Sequence, residues 1–600
     1  MESGGTPSLW LLESIIYKKN IFYIIFYFFI IILVILDLDL QINNNFRGDK
    51  MSKINFFALG GLDENGKNSY ILEIDQKIFI LNFGTKVPIN SHNGIDTLIC
   101  NFDYLEKRQK DIVGLFLSDV HNESFSGIPW LLMKLKNLKV YTSAFNKIVL
   151  IDRISKYDIP NNNYEVKVIN KETDFSNVKI TPIEVAGSLP GQIAFNFFTN
   201  DGNILFLTNF VDGDLGPYGK TNIEKIKSAF KNKELKILIM DSGRSNYPGK
   251  SIDKLWITKK IEYKFKETPQ DKRIIVGLYD EDMITSHEVL FLAKKYNRPV
   301  ITYGRNYSQL INLVSKINVS LNWPQFIDYR NANEAKNAVV LVTGAIERLY
   351  LRFLRIASNN DLYLKFRNDD AVIFIAPPVN GLEVNYALTL DEIARHTSNL
   401  IELNSDQYYS CNPAKDDIKN FIKELKPKYF IPVQGLYRYM VVATQDARDV
   451  GMNLNNCLVL QNGKIAEFEN YELKSQKHTM KNIGHLIIDG FGIGDISSEV
   501  IKERENLGRD GVIALSVLID YKKKMPIGEL QINSYGSITK DNKEIIYNII
   551  NTLFDKEFKG KQTREINLKN IQEQLRKSIK RKIYKAIDKE PLVVVTLYEI

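Results

Sequence analysis

Histidine and cysteine are scarce in this chain, and the scarcity narrows what it can do. Six histidines in 600 residues make a histidine-rich metal centre difficult to assemble. The three cysteines, Cys100, Cys411 and Cys457, stand far apart and form no C-x-x-C pair. That excludes a cysteine zinc finger and fits a reducing compartment. A strong charge of one sign is also missing: the formal net charge of +8 is mild for this length, and it permits contact with nucleic acid without arguing for it. What is present, 44% hydrophobic and 25% charged residues, is the balance of a soluble globular protein. The length corresponds to three or four domains at ~150 residues each.

Residues 1–50 differ from the rest. Ile21 to Leu36 is apolar and uncharged, with Lys18 and Lys19 before it and Asp37 and Asp39 after it. The run falls a little short of the ~20 residues that span a bilayer, and Ile15 to Tyr17 extends it. The flanking charges would leave the N-terminus inside and everything after the run outside. One reading is a single N-terminal membrane anchor at 21–36. The other, which we prefer, takes Met51 as the natural start, because MSKINFFALGGL opens the folded pattern directly.

From Ser52 onward short apolar strands alternate with glycine turns (INFFALGG, SYILEI, KIFILNFG), a β-meander. Asp111 to Leu117 reads as a buried strand and Ile128 onward as a helix. Between them Ser118-Asp119-Val120-His121-Asn122-Glu123-Ser124 forms a polar turn at the C-terminal end of a strand, where α/β folds place their chemistry.

The spacing Asp119-x-His121-x-Glu123-Ser124 resembles H-x-H-x-D-H, the metal-binding signature of metallo-β-lactamase-fold hydrolases, with only His121 unchanged. The stretch Ala58 to Asn68, Gly94-Ile95-Asp96 and Phe102-Asp103-Tyr104-Leu105 extend the likeness to the ribonuclease J family, which combines that fold with an inserted β-CASP domain. The resemblance runs to the last residue. The family's further ligand positions fall on Gly187 (in Ala186 to Gln192), Asn209 (in Leu207-Thr208-Asn209-Phe210, where the family has a bridging aspartate) and Gln434 (in Phe430-Ile431-Pro432-Val433-Gln434-Gly435). Asn82 stands where an aspartate usually supports the metal shell. The resemblance thus implies a degenerate metal site at Asp119, His121, Glu123, Ser124, Gly187, Asn209 and Gln434. Gln434 is a poor zinc ligand, and a catalytic zinc takes three firm protein ligands.

After residue 222 the pattern changes to longer alternation of helix and strand, as in a parallel α/β unit. Asp241-Ser242 matches the first β-CASP motif. The family's phosphate-binding loop aligns with Tyr279 to Ile284, where Asp280, Glu281 and Asp282 would repel a phosphodiester. Its H-x-S-G-H loop aligns with Tyr408-Tyr409-Ser410-Cys411-Asn412. The vestigial RNA pocket is therefore read as Glu281, Tyr408, Ser410 and Asn412. Ile487 to Asp495 resembles the start of the family's C-terminal domain, and Leu568 to Ile587 is an amphipathic helix with a strongly basic face.

These readings add up to a multidomain α/β and α+β chain. An αββα metallo-β-lactamase sandwich occupies 51–220 and 371–468, with a β-CASP insert at 221–370. A linker at 469–482 leads to a small α+β C-terminal domain at 483–600. The expected function is RNA processing and mRNA decay in the cytoplasm, by a catalytically impaired subunit that pairs with an active ribonuclease J paralogue or self-associates through 483–600. An active metal-dependent ribonuclease with an unusual ligand set is the alternative, and a membrane-anchored scaffold follows if residues 1–50 are genuine. No cofactor is expected, although the family uses two zinc or manganese ions. RNA contact is expected to be weak.

Overall fold

In the computed structural model of the protein the residues described are 52–88, 97–175, 178–317, 323–403, 412–489, 492–493, 498–539, 541–559 and 567–600. The apolar run 21–36 and Met51 lie outside them. Two sheets face each other. The first has eight strands, in the order Glu472–Ser475, Ala466–Glu469, Lys53–Gly60, Ser69–Ile74, Lys77–Leu81, Ile112–Phe116, Leu138–Thr142 and Tyr164–Val168. The second has six, in the order Tyr429–Val433, Leu235–Asp241, Gly202–Leu207, Ile193–Thr199, Val178–Glu184 and Thr173–Phe175.

Side chains alternate along a strand, so each strand serves two layers. Ile54, Phe56, Phe79 and Phe116 of the first sheet meet Phe195, Phe197, Ile204, Phe206, Ile237 and Ile431 of the second in one buried cluster. Their neighbours Leu205, Leu207, Leu238 and Met240 point the other way, against Ile226, Phe421, Ile422 and Ala443. Those four come from the helices Ile223–Ala229, Lys415–Leu425 and Tyr437–Asp449. On the outside of the first sheet, Phe57 and Leu59 pack with Leu131 and Leu132 of helix Ile128–Lys134 and with Phe145 and Leu150 of helix Ala144–Ile154. The result is an αββα sandwich. Each fully buried large apolar side chain contributes about 1.5–3 kcal/mol, against about 1 kcal/mol net for a hydrogen bond. The apolar layers therefore hold the sheets face to face.

A third sheet, with strands Phe326–Ile327, Val300–Tyr303, Val339–Gly344, Ile274–Tyr279, Ala371–Ile375 and Leu400–Glu402, is parallel throughout. Its two faces are covered by helix Met283–Lys295 and helix Glu347–Ala357. This is the inserted α/β unit of a metallo-β-lactamase-type fold.

The sequence-based boundaries need correction in three places. Strand Leu235–Asp241 pairs with Gly202–Leu207 and Tyr429–Val433, so it belongs to the sandwich and not to the insert. Conversely, Ala371–Ile375 and Leu400–Glu402 complete the insert's sheet, so the chain returns to the sandwich only after residue 402. The stretch 469–482 is no plain linker: Glu472–Ser475 adds an edge strand to the first sheet. His485–Asp489 pairs with Thr97–Cys100 beside the sandwich. Beyond it a separate three-stranded sheet, Pro526–Tyr535, Val512–Ile519 and Leu592–Glu599, carries the helices Lys543–Phe558 and Leu568–Ile587 on one face. Among the described residues no helix is long and apolar enough to cross a membrane.

Arg273, at the entry to the central strand of the insert, is fully buried. Its guanidinium donates to Asp370 at 2.9 and 2.7 Å and to the carbonyls of Ala332 and Lys365 at 2.6 and 2.8 Å. Removing the carboxylate leaves a buried cation without its counter-charge, which costs about 3–5 kcal/mol. We expect Asp370→Ala to shift the insert's transition in urea unfolding of the full chain to lower denaturant, while Asp369→Ala, on the exposed neighbour, leaves it in place.

Candidate functional site

The site forms where three strands of the sandwich end. Asn82 follows Lys77–Leu81, Asn209 follows Gly202–Leu207 by two residues, and Gln434 follows Tyr429–Val433. All three have left-handed backbones, with φ of 61°, 51° and 60°. Asparagine tolerates that region, whereas for glutamine it costs of order 1–2 kcal/mol. These reversals turn the side chains toward the 118–124 turn. Gly84 lets that turn close in, because a Cβ there would stand 1.6 Å from the carbonyl oxygen of Glu123.

The structure brings Asp119, His121, Glu123, Ser124, Asn209 and Gln434 into one hydrogen-bonded group. Asp119 Oδ1 accepts from the His121 backbone N–H at 3.0 Å and from Asn209 Nδ2 at 3.2 Å, and lies 2.7 Å from His121 Nδ1. Its Oδ2 accepts from Ser118 Oγ at 2.6 Å. His121 Nε2 is 2.7 Å from Ser188 Oγ, so both ring nitrogens are engaged. Asn209 Nδ2 also donates to Ser124 Oγ at 3.2 Å. Gln434 Nε2 donates to both Glu123 Oε1 and Asn209 Oδ1. Asn82 does not reach this group directly; its side chain accepts from the Ser118 N–H at 2.9 Å and donates to Ser118 Oγ at 2.9 Å.

The electrostatics follow from burial and from these bonds. Burial alone would raise Asp119, but the hydrogen bond and charge of His121, with Ser118, hold its carboxyl below the ordinary value. Glu123 is raised by burial, with Asp119 adding to the rise and His121 opposing it. Asp241, whose Oδ2 accepts from the Asn209 N–H at 3.0 Å and from Asn412 Nδ2 at 2.6 Å, is pushed by burial to about 7.

Gly187 meets the group through another residue. The space a side chain would need there is filled by Gln192, whose Oε1 would lie 1.2 Å from a Cβ on Gly187. Gln192 Nε2 donates to the Asn209 carbonyl at 2.6 Å. Reasoning from the sequence passed over Gln192, Ser188 and Ser118. Ser188 and Gln192 lie in the same short loop as Gly187, and proximity to that position was their signal.

In the supposed RNA pocket, Tyr408 and Ser410 lie outside the described residues. Asn412 faces Asp241 and Asn209. Glu281 reaches across from the insert and accepts from the Asn122 N–H at 2.6 Å, while its carbonyl accepts from Ser188 Oγ at 3.3 Å. Burial, reinforced by the charge of Asp280, pushes the Glu281 carboxyl up to about 8.

A two-zinc or two-manganese centre does not fit these side chains. Among the described residues no three His, Cys, Asp or Glu groups stand together so that they could hold an ion. Asn209 and Gln434 also turn N–H donors toward the carboxylates, where a metal needs lone pairs. The packing at Gly187 is directly testable. Gly187→Ala must displace Gln192 and break its bond to the Asn209 carbonyl, so we expect a loss of about 1–3 kcal/mol. In the background Gln192→Ala the same change should cost much less, a coupling of at least ~0.5 kcal/mol in a urea-unfolding double-mutant cycle.

Comparison with known proteins agrees with this architecture. The family description "Ribonuclease J, beta-CASP domain" matches residues 271–393, and "Ribonuclease J C-terminal domain" matches residues 499–600. A protein of Mycoplasma genitalium (strain G37) named Uncharacterized protein MG423 is 29% identical over 574 residues, covering 92% of this chain and 100% of its own length. Ribonuclease J2 of Bacillus subtilis (strain 168) is 24% identical over 554 residues, covering 91% of this chain and 99% of its own. Ribonuclease J 2 of Staphylococcus aureus (strain MRSA252) is 24% identical over 558 residues, covering 92% and 99%. These matches overturn the expectation that no cofactor belongs with the chain, because the family they point to is metal-dependent. Strand order, insert, C-terminal unit and end-to-end similarity agree: the chain belongs to the ribonuclease J family.

Proposed function

We propose that this chain works in the cytoplasm, in RNA processing and mRNA decay, as a catalytically impaired subunit that partners an active ribonuclease J paralogue. The observation that carries the reading is the closure of the site upon itself. A metal hydrolase needs ligand lone pairs directed at the ion and one open position for water. Here the oxygens of Asp119 and Glu123 accept from Ser118, His121, Asn209 and Gln434. Glu281, on the insert side, takes up the Asn122 N–H with its carboxyl, so that donor is not open to an incoming phosphate. We divide the chain accordingly into a sandwich, an insert spanning the third sheet, and a C-terminal unit within 483–600.

The partner surface is proposed on that last unit. Its sheet buries Ile513, Leu515, Val517, Val593 and Val595 against its helices. Among the described residues the opposite face is partly open, with Val512, Ala514 and Ser516 half-buried and Leu518 exposed. Leu518 pairs across the strands with Ile527 and Tyr598, and Val594 lies on the same face. Tyr598 is 56% exposed and Tyr535, at the far end, 75%. Ser516, paired with Gln531 and Thr596, adds polar groups to the same face. Exposed apolar side chains gathered on one face are characteristic of an interaction surface, and a stable interface needs about 1,000 Å² or more in total.

Supplied with zinc or manganese, the purified chain should leave a 5′-labelled RNA intact under conditions in which an active ribonuclease J digests it. Robust digestion that disappears in His121→Ala would overturn the impairment. Full-length chain should co-purify with the active paralogue from native extract, and Leu518→Glu with Val594→Glu should abolish that recovery. Undiminished recovery would remove the interface from this face.

A further inference from the structure

The C-terminal unit has a second face of quite different chemistry. Helix Leu568–Ile587 turns Ile571, Leu575, Ile579 and Ile583, at i, i+4 spacing, into the core under the sheet. Along its length stand seven cationic side chains and one carboxylate, Glu573. That is a net +6 within a chain whose total is +8. The mild overall charge therefore conceals a concentrated one.

The cations form rows. Lys577, Arg581 and Lys585 succeed one another at four-residue intervals, a rise of about 6 Å each on an α-helix, and all three are exposed. Glu573 engages Arg576 at 3.1 Å and Lys577 at 3.2 Å, and Glu590 engages Lys580 at 3.2 Å. Exposed pairs of this kind are weak. Arg581, Lys582 and Lys585 meet no carboxylate among the described residues. Tyr584, 48% exposed, lies on the same helix three and four residues after Arg581 and Lys580.

We propose that this helix face binds the phosphate backbone of single-stranded RNA, with Lys577, Arg581 and Lys585 as its principal contacts. A membrane surface fits less well, because an amphipathic helix enters lipid with its apolar side, and here that side is buried under the protein's own sheet. Charge complementarity favours a polyanion, and Tyr584 adds a ring on which a base can stack. The cationic face and the open sheet face lie on opposite sides of the same two-layer unit. An RNA strand on one side and a protein partner on the other would not compete.

The inference rests on the RNA-processing role proposed above and is independent of whether the chain cleaves. The test is binding of a fluorescein-labelled oligouridine to the full-length chain across a salt series. Each single-strand phosphate contact adds roughly 0.7 to the slope of log K against log salt. Lys577→Ala/Arg581→Ala/Lys585→Ala should therefore weaken binding at low salt and flatten that slope by about 2. Alanine favours the helix, so the unfolding midpoint should stay in place. The charge-preserving Lys577→Arg/Arg581→Lys/Lys585→Arg should retain the original slope. Unchanged affinity and slope in the triple alanine variant would overturn the proposal. So would RNA binding that persists while binding to phosphatidylserine vesicles is lost. Absence of any RNA affinity in the unaltered chain would defeat the RNA-processing reading itself, and this surface with it.

Discussion

The burial of two facing rows of Phe, Ile and Leu between the sheets is the constraint on which the rest of the molecule depends. Ile54, Phe56, Phe79 and Phe116 face Phe195, Phe197, Ile204, Phe206 and Ile237 in one buried cluster. Once that layer is packed, the register of each strand is set, since a slip of one residue would turn its apolar set outward. The strand ends are then set as well. Asn82, Asn209 and Gln434 meet the 118–124 turn because the strands that precede them are held by this layer, and not because the polar groups attract one another at long range. The scaffold is thus held by its apolar layer and not by the polar groups gathered at the strand ends.

At the mouth of the sandwich the polar groups are joined largely by amide chemistry. A carboxamide offers a donor and an acceptor on one planar group, so Asn209 can join Asp119 and Ser124 on one side to Gln434 and Asn412 on the other. Among the described residues the bonding is incomplete: Gln192 Oε1 and Gln434 Oε1 are buried without a hydrogen-bond partner. Buried acceptors left unpaired cost about 1–3 kcal/mol each. A site shaped only for stability would place apolar side chains there.

Much of the fold was legible in the sequence because period-2 alternation and glycine turns are local signals. Lys53–Gly60 and Ser69–Ile74 read as a meander, and Leu568–Ile587 as a helix with one apolar face. Sheet membership was less legible. LKILIMD, residues 235–241, is apolar on both sides because both of its faces are covered, and nothing local tells which sheet will receive it. Its partner Tyr429–Val433 lies almost 200 positions away; Ser242 reaches the Val433 carbonyl across 191. In the site, Asp119, His121, Glu123 and Ser124 stood out through spacing. Gln192 did not, since its role comes from filling the volume beside Gly187, and volume across a loop leaves no periodic trace.

The discontinuity of the sandwich has a consequence for how the protein is made. Strand Lys53–Gly60 is completed by Ala466–Glu469, and the Leu62 N–H is held by the Asn462 side chain 400 positions later. At ~5–20 residues per second on the ribosome, the first strand waits roughly 20–80 s for its second neighbour. Throughout that interval one edge of a strand bearing Ile54 and Phe56 remains open to any other nascent chain. Synthesis of this protein thus includes a long window in which the apolar edge of its first strand stays unpaired.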